Sequence, residues 1–185
     1  MKRTLHIFAA TVFGAVALFG FPGPLQHAQG ERAQGGDEEA GGGNAPTDKA
    51  VYFSHGDMET VWKDLEARQI NSHRALANDK FVIYTRIVKP TSRALVHPAG
   101  ADVWICEAGS AIAVTGGKLV NPKTPKGDNS ATPSMFGNDT SGSAIEGGIE
   151  QAFMPGDILY VPPGVPHTFK DMKGFRAYLI RFDIR

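Results

Sequence analysis

The part of this 185-residue sequence best suited to chemistry is a histidine that follows two rigid turns. The stretch reads Pro155-Gly156-Asp157-Ile158-Leu159-Tyr160-Val161-Pro162-Pro163-Gly164-Val165-Pro166-His167. Gly156 and Asp157 suit a tight turn, because glycine allows a positive φ and aspartate can bond to nearby backbone. The prolines and Gly164 then fix the direction of the chain before His167. Rigid placement of this kind is what a metal ligand or a catalytic base requires.

This stretch resembles the second motif of the cupin superfamily, whose pattern is G-D-x-x-x-x-P-x-G-x-x-H. Every fixed position of the pattern matches, at Gly156, Asp157, Pro162, Gly164 and His167. In cupins that histidine usually points into a β-barrel and binds a metal, so the resemblance implies a metal ligand at His167. The alternative is a histidine that is only hydrogen-bonded in the core.

The first cupin motif is partly present in the segment from His97 to Gly109. The resemblance assigns His97 to the second histidine of H-x-H and Asp102 to the carboxylate, shortened here from glutamate. The first histidine is missing, because Leu95 stands in its place. His97, Asp102 and His167 would make a two-histidine, one-carboxylate site suited to Fe(II), Mn, Ni or Zn. The lost fourth ligand should weaken metal affinity, and loop roles for His97 and Asp102 remain open.

Alternation along one predicted strand indicates what surrounds this site. Residues two apart in a strand point to the same face, so Trp104 and Cys106 should point inward if Asp102 does. Tyr84, on another predicted strand, is a third candidate for lining a ligand pocket. The simpler interpretation of Cys106 is a buried apolar residue.

Short apolar segments punctuated by glycine and proline must position these residues. They indicate a β-sandwich or barrel, and they lie at residues 81–88, 94–97, 103–106, 111–115, 118–120, 153, 158–161, 167–169 and 175–184. One helix is predicted to begin at Asp57, to end between Gln69 and Ala77, and to pack outside the sheet. The resemblance covers roughly residues 80–185. The fold class is therefore all-β, a single double-stranded β-helix, or jelly-roll cupin barrel, with one short helix outside it.

The tract between Val120 and Gln151 is rich in Pro, Gly, Ser, Thr and Asn. A connection of this length inside a compact domain is either a functional lid or a loose insertion. Residues 138–142 are predicted to be its mobile tip.

The charges divide the chain into three regions. Nineteen basic and 19 acidic residues cancel to a net charge of zero, which argues against a nucleic-acid partner. The zero is the sum of +2 in residues 1–28, −4 in residues 29–48 and +2 in residues 49–185. The single cysteine excludes an internal disulfide and a cysteine-based zinc cluster.

The first two regions predict export. Lys2-Arg3 precedes the apolar run from Leu5 to Phe21, so residues 1–28 are predicted to be a secretory signal, cleaved after Ala28, or an uncleaved membrane anchor. Residues 29–48 have six glycines and few apolar side chains, and are predicted to be a flexible spacer. Residues 49–185 form the barrel domain, placed in the periplasm or outside the cell.

Two functions follow, and the sequence leaves both open. The first is a metal-dependent enzyme acting on a small molecule, of the dioxygenase, isomerase or lyase type. The second is a non-catalytic barrel that binds a small molecule or sugar and carries a degenerate metal site. The complete second motif favours the first, and Leu95 favours the second. The resemblance also implies a homodimer, and the sequence assigns no catalytic residue.

Overall fold

The structure is a computed structural model that describes residues 39–40, 42–90, 93–124 and 138–184. The described part is mostly β-strand with one helix, which confirms the predicted all-β class. In chain order the elements are β1 (Glu39–Ala40), β2 (Gly43–Asn44), α1 (His55–Arg68), β3 (Ser72–Ala77), β4 (Phe81–Ile87), β5 (Ala94–Val96), β6 (Gly100–Thr115), β7 (Lys118–Val120), β8 (Thr140–Gly142), β9 (Ala144–Glu146), β10 (Ile149–Phe153), β11 (Ile158–Val161) and β12 (His167–Asp183).

Two long antiparallel strands, β6 and β12, form the spine of the main sheet. β6 pairs with β12 along one edge and with β10 and β11 along the other. β12 continues the sheet through β4 and β3 at one end and through β5 and β8 at the other. The register of the β6–β12 pairing shifts around Lys173 and Arg176, where Gly109 lies against Gly174. A Cβ on Gly109, at φ +73°, would lie 2.2 Å from the carbonyl oxygen of Gly174, so only glycine fits.

The helix packs outside the sheet as predicted, although it starts earlier. Ser54, not Asp57, is the N-cap, and Asp57 occupies the third helical position, where the two residues form a reciprocal capping box. Trp62 and Leu65 are buried and pack with Ile87 and Tyr178, on the outer face of β4 and β12.

The structure also fixes the end of the helix and corrects two other expectations. The helix ends at Arg68 with Gln69 as its C-cap, at the start of the predicted range from Gln69 to Ala77, and residues 72–77 form strand β3. Residues 140–142, predicted to be part of a mobile tip, form β8 and pair with β5, because regular backbone bonds tie them to the sheet. β1 and β2 lie in the predicted spacer and pair with β3, so the sheet begins upstream of residue 49. The signal segment, most of the spacer and residues 125–137 lie outside the described residues.

Candidate metal site

Rigid backbone places the two predicted histidines close together. His97 follows β5, and its carbonyl oxygen accepts a hydrogen bond from the backbone N–H of Gly164, at 2.9 Å. His167 is the first residue of β12 and pairs with Leu95. Both side chains are buried, and their ring centroids are 5.1 Å apart. The turn before His167 therefore positions both histidines. Its prolines and glycine predict this for His167, and the bond from Gly164 extends it to His97.

Asp102 comes from the spine of the sheet and is paired with an arginine. Asp102 on β6 lies directly opposite Arg181 on β12. The guanidinium donates from Nε to Oδ1 at 2.6 Å and from Nη2 to Oδ2 at 2.9 Å. Such a bidentate pair is a strong, geometrically specific ion pair. The Asp102 side chain is fully buried, and that of Arg181 is 15% exposed.

The three predicted ligands converge with donor spacing that suits one ion. Asp102 Oδ2 lies 3.5 Å from His97 Nε2 and 3.4 Å from His167 Nε2. Ligands bound at about 2.1 Å in a tetrahedral arrangement lie about 3.4 Å apart. The donor atoms of all three residues lie within 4.8 Å of one another. The structure thus brings together the residues that the sequence singled out.

Hydrogen bonding assigns the protons on the two rings. A guanidinium can only donate, so His97 Nε2 accepts from Arg181 Nη2 at 2.6 Å and the ring proton sits on Nδ1. His167 Nδ1 lies 3.2 Å from the carbonyl oxygen of Val165, which can only accept. With the ring proton on Nδ1, the Nε2 lone pair of His167 faces the Asp102 carboxylate. That juxtaposition suits a bound cation or proton between the two groups.

Asp139 is a further member of the cluster, and it is held in place by a neighbouring strand. It precedes β8, whose Thr140 pairs with Val96 of β5. This register brings Asp139 Oδ1 to 2.7 Å from His97 Nδ1. A carboxylate on the far nitrogen of a ligating histidine fixes the ring and strengthens its lone pair.

Burial and the arginine set the charges in the cluster. Burial lowers the pKa of His97, and the nearby guanidinium adds to this effect, although contact with Asp139 opposes it. Burial alone would raise the pKa of Asp102, but the hydrogen bonds and the positive charge of Arg181 outweigh it, so the pKa lies well below its usual range. The structure therefore contains a neutral His97 and an ionised Asp102, the forms in which both bind metals.

The metal fits the donors only if the arginine moves. An imidazole nitrogen has one lone pair, and that of His97 Nε2 is used by Arg181. With the guanidinium withdrawn, His97, Asp102 and His167 would hold the ion, and Asp139 would orient His97.

The predicted pocket residues share the face of Asp102, as alternation requires. Trp104 and Cys106 are buried and pack in one apolar cluster, against which Tyr84 also lies. Burial raises the pKa of the Cys106 thiol. The indole N–H of Trp104 is buried and has no hydrogen-bond partner within the described ranges, so it is a donor available to a bound molecule. Ligand contact by these three residues stays a prediction.

Sequence reasoning missed two members of the cluster. Arg181 carried a signal, because it continues the inward positions Phe175, Ala177 and Leu179 along β12. A charge at the end of an apolar period-two series indicates a buried polar partner. Asp139 carried no such signal, since its place depends on how β8 pairs.

Comparison with known proteins concerns the fold. No family model and no curated protein matches the sequence. The solved structures that it resembles include a protein from Bacillus halodurans, at 10% identity over 75% of this chain and 86% of that chain, with a TM-score of 0.45. A cupin 2 conserved barrel domain protein from Salinispora arenicola has 18% identity over 58% of this chain and 67% of that chain, with a TM-score of 0.35.

An enzyme is also among these structures. Hydroquinone 1,2-dioxygenase from Sphingomonas sp. TTNP3, with 4-hydroxybenzoate bound, has 19% identity over 59% of this chain and 62% of that chain, with a TM-score of 0.38. This chain thus spans less than two thirds of the enzyme. The matches include cupin-type barrels, as the sequence resemblance predicts, and they assign no activity to this chain.

Proposed function

We propose that this protein binds one divalent metal ion on His97, Asp102 and His167 and uses it to hold a small oxygen-bearing molecule in the barrel. The spacing of the donor atoms, 3.4 and 3.5 Å around Asp102 Oδ2, carries the proposal. The two imidazoles and one carboxylate favour Fe(II), Mn, Ni or Zn. When bound, such an ion supplies Lewis acidity or, if it is iron, redox chemistry.

The protein's own groups favour an oxygen acceptor in the ligand. Trp104 lies two residues from Asp102 on the same face of β6, and its buried N–H lacks a partner within the described part of the chain. A ligand oxygen that accepts this hydrogen bond would satisfy the donor and orient the molecule. The apolar cluster beyond Trp104 would exclude water from one side of it.

Metal content of the full chain, purified without chelator, tests the proposal by elemental analysis. We expect about one equivalent of a transition metal in the parent, and its loss in His97→Ala and His167→Ala. His55→Ala is the matched control, because His55 is an exposed histidine at the start of α1. A parent that is metal-free and resists reloading would overturn the proposal.

The second candidate is a non-catalytic binding barrel that works without metal. The guanidinium of Arg181 on Asp102 and His97, with Leu95 opposite His167, favours it. Titration with small hydroxylated acids and sugars, with and without chelator, separates the two. Binding that survives chelation supports this candidate, and binding that requires the ion supports the first.

Export and self-association complete the proposal. The basic and apolar residues at the start of the sequence support a signal or anchor, and mass analysis of the secreted chain would show cleavage near Ala28 or retention with membranes. No helix within the described ranges is long and apolar enough to cross a membrane.

Ile158 and Tyr160 on β11 are exposed apolar residues, which supports a homodimer through this strand. Light scattering on the parent and on Ile158→Lys should give a dimer and a monomer.

A further inference from the structure

Arg181 uses the atoms that the proposed metal needs. Its Nη2 lies 2.6 Å from His97 Nε2 and 2.9 Å from Asp102 Oδ2, and its Nε lies 2.6 Å from Asp102 Oδ1. The single lone pair of His97 Nε2 cannot bind a guanidinium and a metal at once. Two cations this close in a buried site would also repel each other strongly.

We infer that Arg181 is an internal competitor for the metal and thereby sets the metal affinity of the site. The inference rests on the proposed metal binding at His97, Asp102 and His167. In one state the guanidinium neutralises Asp102 and occupies His97. In the other state the ion takes both places, and the arginine has withdrawn.

The position of Arg181 permits that exchange. It lies near the end of β12, two residues before Asp183, where the strand ends. Its side chain is 15% exposed, whereas that of Asp102 is fully buried. Arg181 can therefore reach solvent by rotating its own side-chain bonds, and the backbone pairing with β6 and β4 can stay in place.

Competition makes a quantitative prediction about different ions. When only a fraction of the protein is in the open state, the apparent Kd rises by the inverse of that fraction. This factor depends only on the equilibrium between the two positions of Arg181 and is therefore the same for every ion. As the apparent Kd rises, a weakly bound ion such as Mn²⁺ leaves the site empty at concentrations at which Zn²⁺ still fills it, because Zn²⁺ binds nitrogen and oxygen donors more tightly.

Titration of the full chain with Zn²⁺ and Mn²⁺, after chelator treatment, tests the inference. Arg181→Leu should bind both ions at least about ten-fold more tightly than the parent, and by equal factors. Arg181→Lys keeps the charge without the bidentate fork and should lie between them. Arg176→Leu is the matched control, since Arg176 is on the same strand but stacks on Trp62 outside the barrel. It should bind like the parent.

Thermal unfolding gives a second measurement. Arg181→Leu without metal leaves Asp102 buried and unpaired, so its melting temperature should fall, and Zn²⁺ should raise it by more than in the parent. If Arg181→Leu does not fold, the same comparison is made with Arg181→Lys, whose metal-induced rise should also exceed that of the parent.

The outcomes separate this inference from the proposed function. Metal binding in the parent with no tightening in folded Arg181 variants sinks the inference and leaves the metal site intact. Binding only in the variants supports the inference but removes metal binding from the natural protein. Binding in neither sinks both, and equal tightening in Arg176→Leu also sinks the inference.

Discussion

The two ends of the barrel interior are built from the same pair of strands but carry different side chains, charged at one end and apolar at the other. Along β6 and β12, Asp102 faces Arg181 at one end, and Trp104 faces Leu179 in the next inward position. Further along, the spine is lined by aromatic side chains, with Phe169 and Phe175 ring centroids 4.9 Å apart. Two residues along each strand therefore separate the buried ion pair, here called the charged end, from the apolar cluster that begins at Trp104 and Leu179, here called the apolar end.

That difference shows where stability and function reside. Burial of apolar side chains stabilises the fold at about 25 cal/mol for each Å² removed from water. Buried charges cost desolvation free energy, which their pairing offsets only in part. The apolar end is therefore expected to stabilise the fold, whereas the charged end calls for another role, which the proposed metal site would supply.

The largest expected effect comes from breaking the charged end. Asp102→Ala removes the carboxylate that pairs with Arg181, so we expect a loss of up to about 3–5 kcal/mol in the free energy of unfolding, the upper end applying if the guanidinium stays buried and the lower values if it turns to solvent. It should also abolish metal binding, because the central donor is gone. Urea unfolding in chelator, followed by metal titration, measures both.

A double variant makes the charged end apolar, like the other end of the interior. Asp102→Leu with Arg181→Leu replaces the ion pair by apolar groups, and replacement of this kind is often neutral or stabilising. Recovery of most of the stability without recovery of metal binding is expected. If the double variant is no more stable than Asp102→Ala, the ion pair stabilises the barrel after all.

Breaking the apolar end should cost stability alone. Leu179 is 1% exposed and lies next to Trp104, so Leu179→Ala opens a cavity and should reduce the free energy of unfolding by about 2–5 kcal/mol. The metal affinity of the folded protein should stay within about two-fold of the parent, because the Leu179 side chain offers no donor atom to a metal. A large loss of metal affinity would show that the two ends are coupled.

The sequence predicted the two ends unequally. Alternation and turn chemistry were sufficient to place Trp104 and Cys106 inside, and motif spacing picked out His97, Asp102 and His167. The partner of Asp102 was not found, because Arg181 is 79 residues away and only the β6–β12 register joins them. Asp139 lies in the segment that the sequence predicts to be a mobile tip, since a polar segment with no period gives no sign that its residues 140–142 pair with β5.

The two ends should also respond differently to acid. The pKa of His97 is lowered in the folded state, so below about pH 6.5 the unfolded chain binds more protons and stability falls as the pH falls. The slope can reach about 1.4 kcal/mol per pH unit. Asp102, whose pKa is also lowered, adds its loss only below about pH 3.9.

Urea unfolding of the chelated protein between pH 8 and 5 measures this slope. His97→Gln should flatten it, and His55→Gln should keep it. Leu179→Ala should lower stability by the same amount at every pH, because no titrating group changes. An unchanged slope in His97→Gln would assign the acid sensitivity to another residue.

The smallest effect on stability is expected at Asp139, at the margin of the charged end. Its side chain is 35% exposed, so Asp139→Asn should change the free energy of unfolding by less than about 1 kcal/mol. Metal affinity should nevertheless fall by about 10–100-fold, because the carboxylate that orients His97 is lost. Isothermal titration with Zn²⁺ measures this, with the exposed Asp79→Asn as the control. Affinity equal to that of the parent would mean that β5 and Gly164 alone orient His97, and that the charged end stops at Arg181.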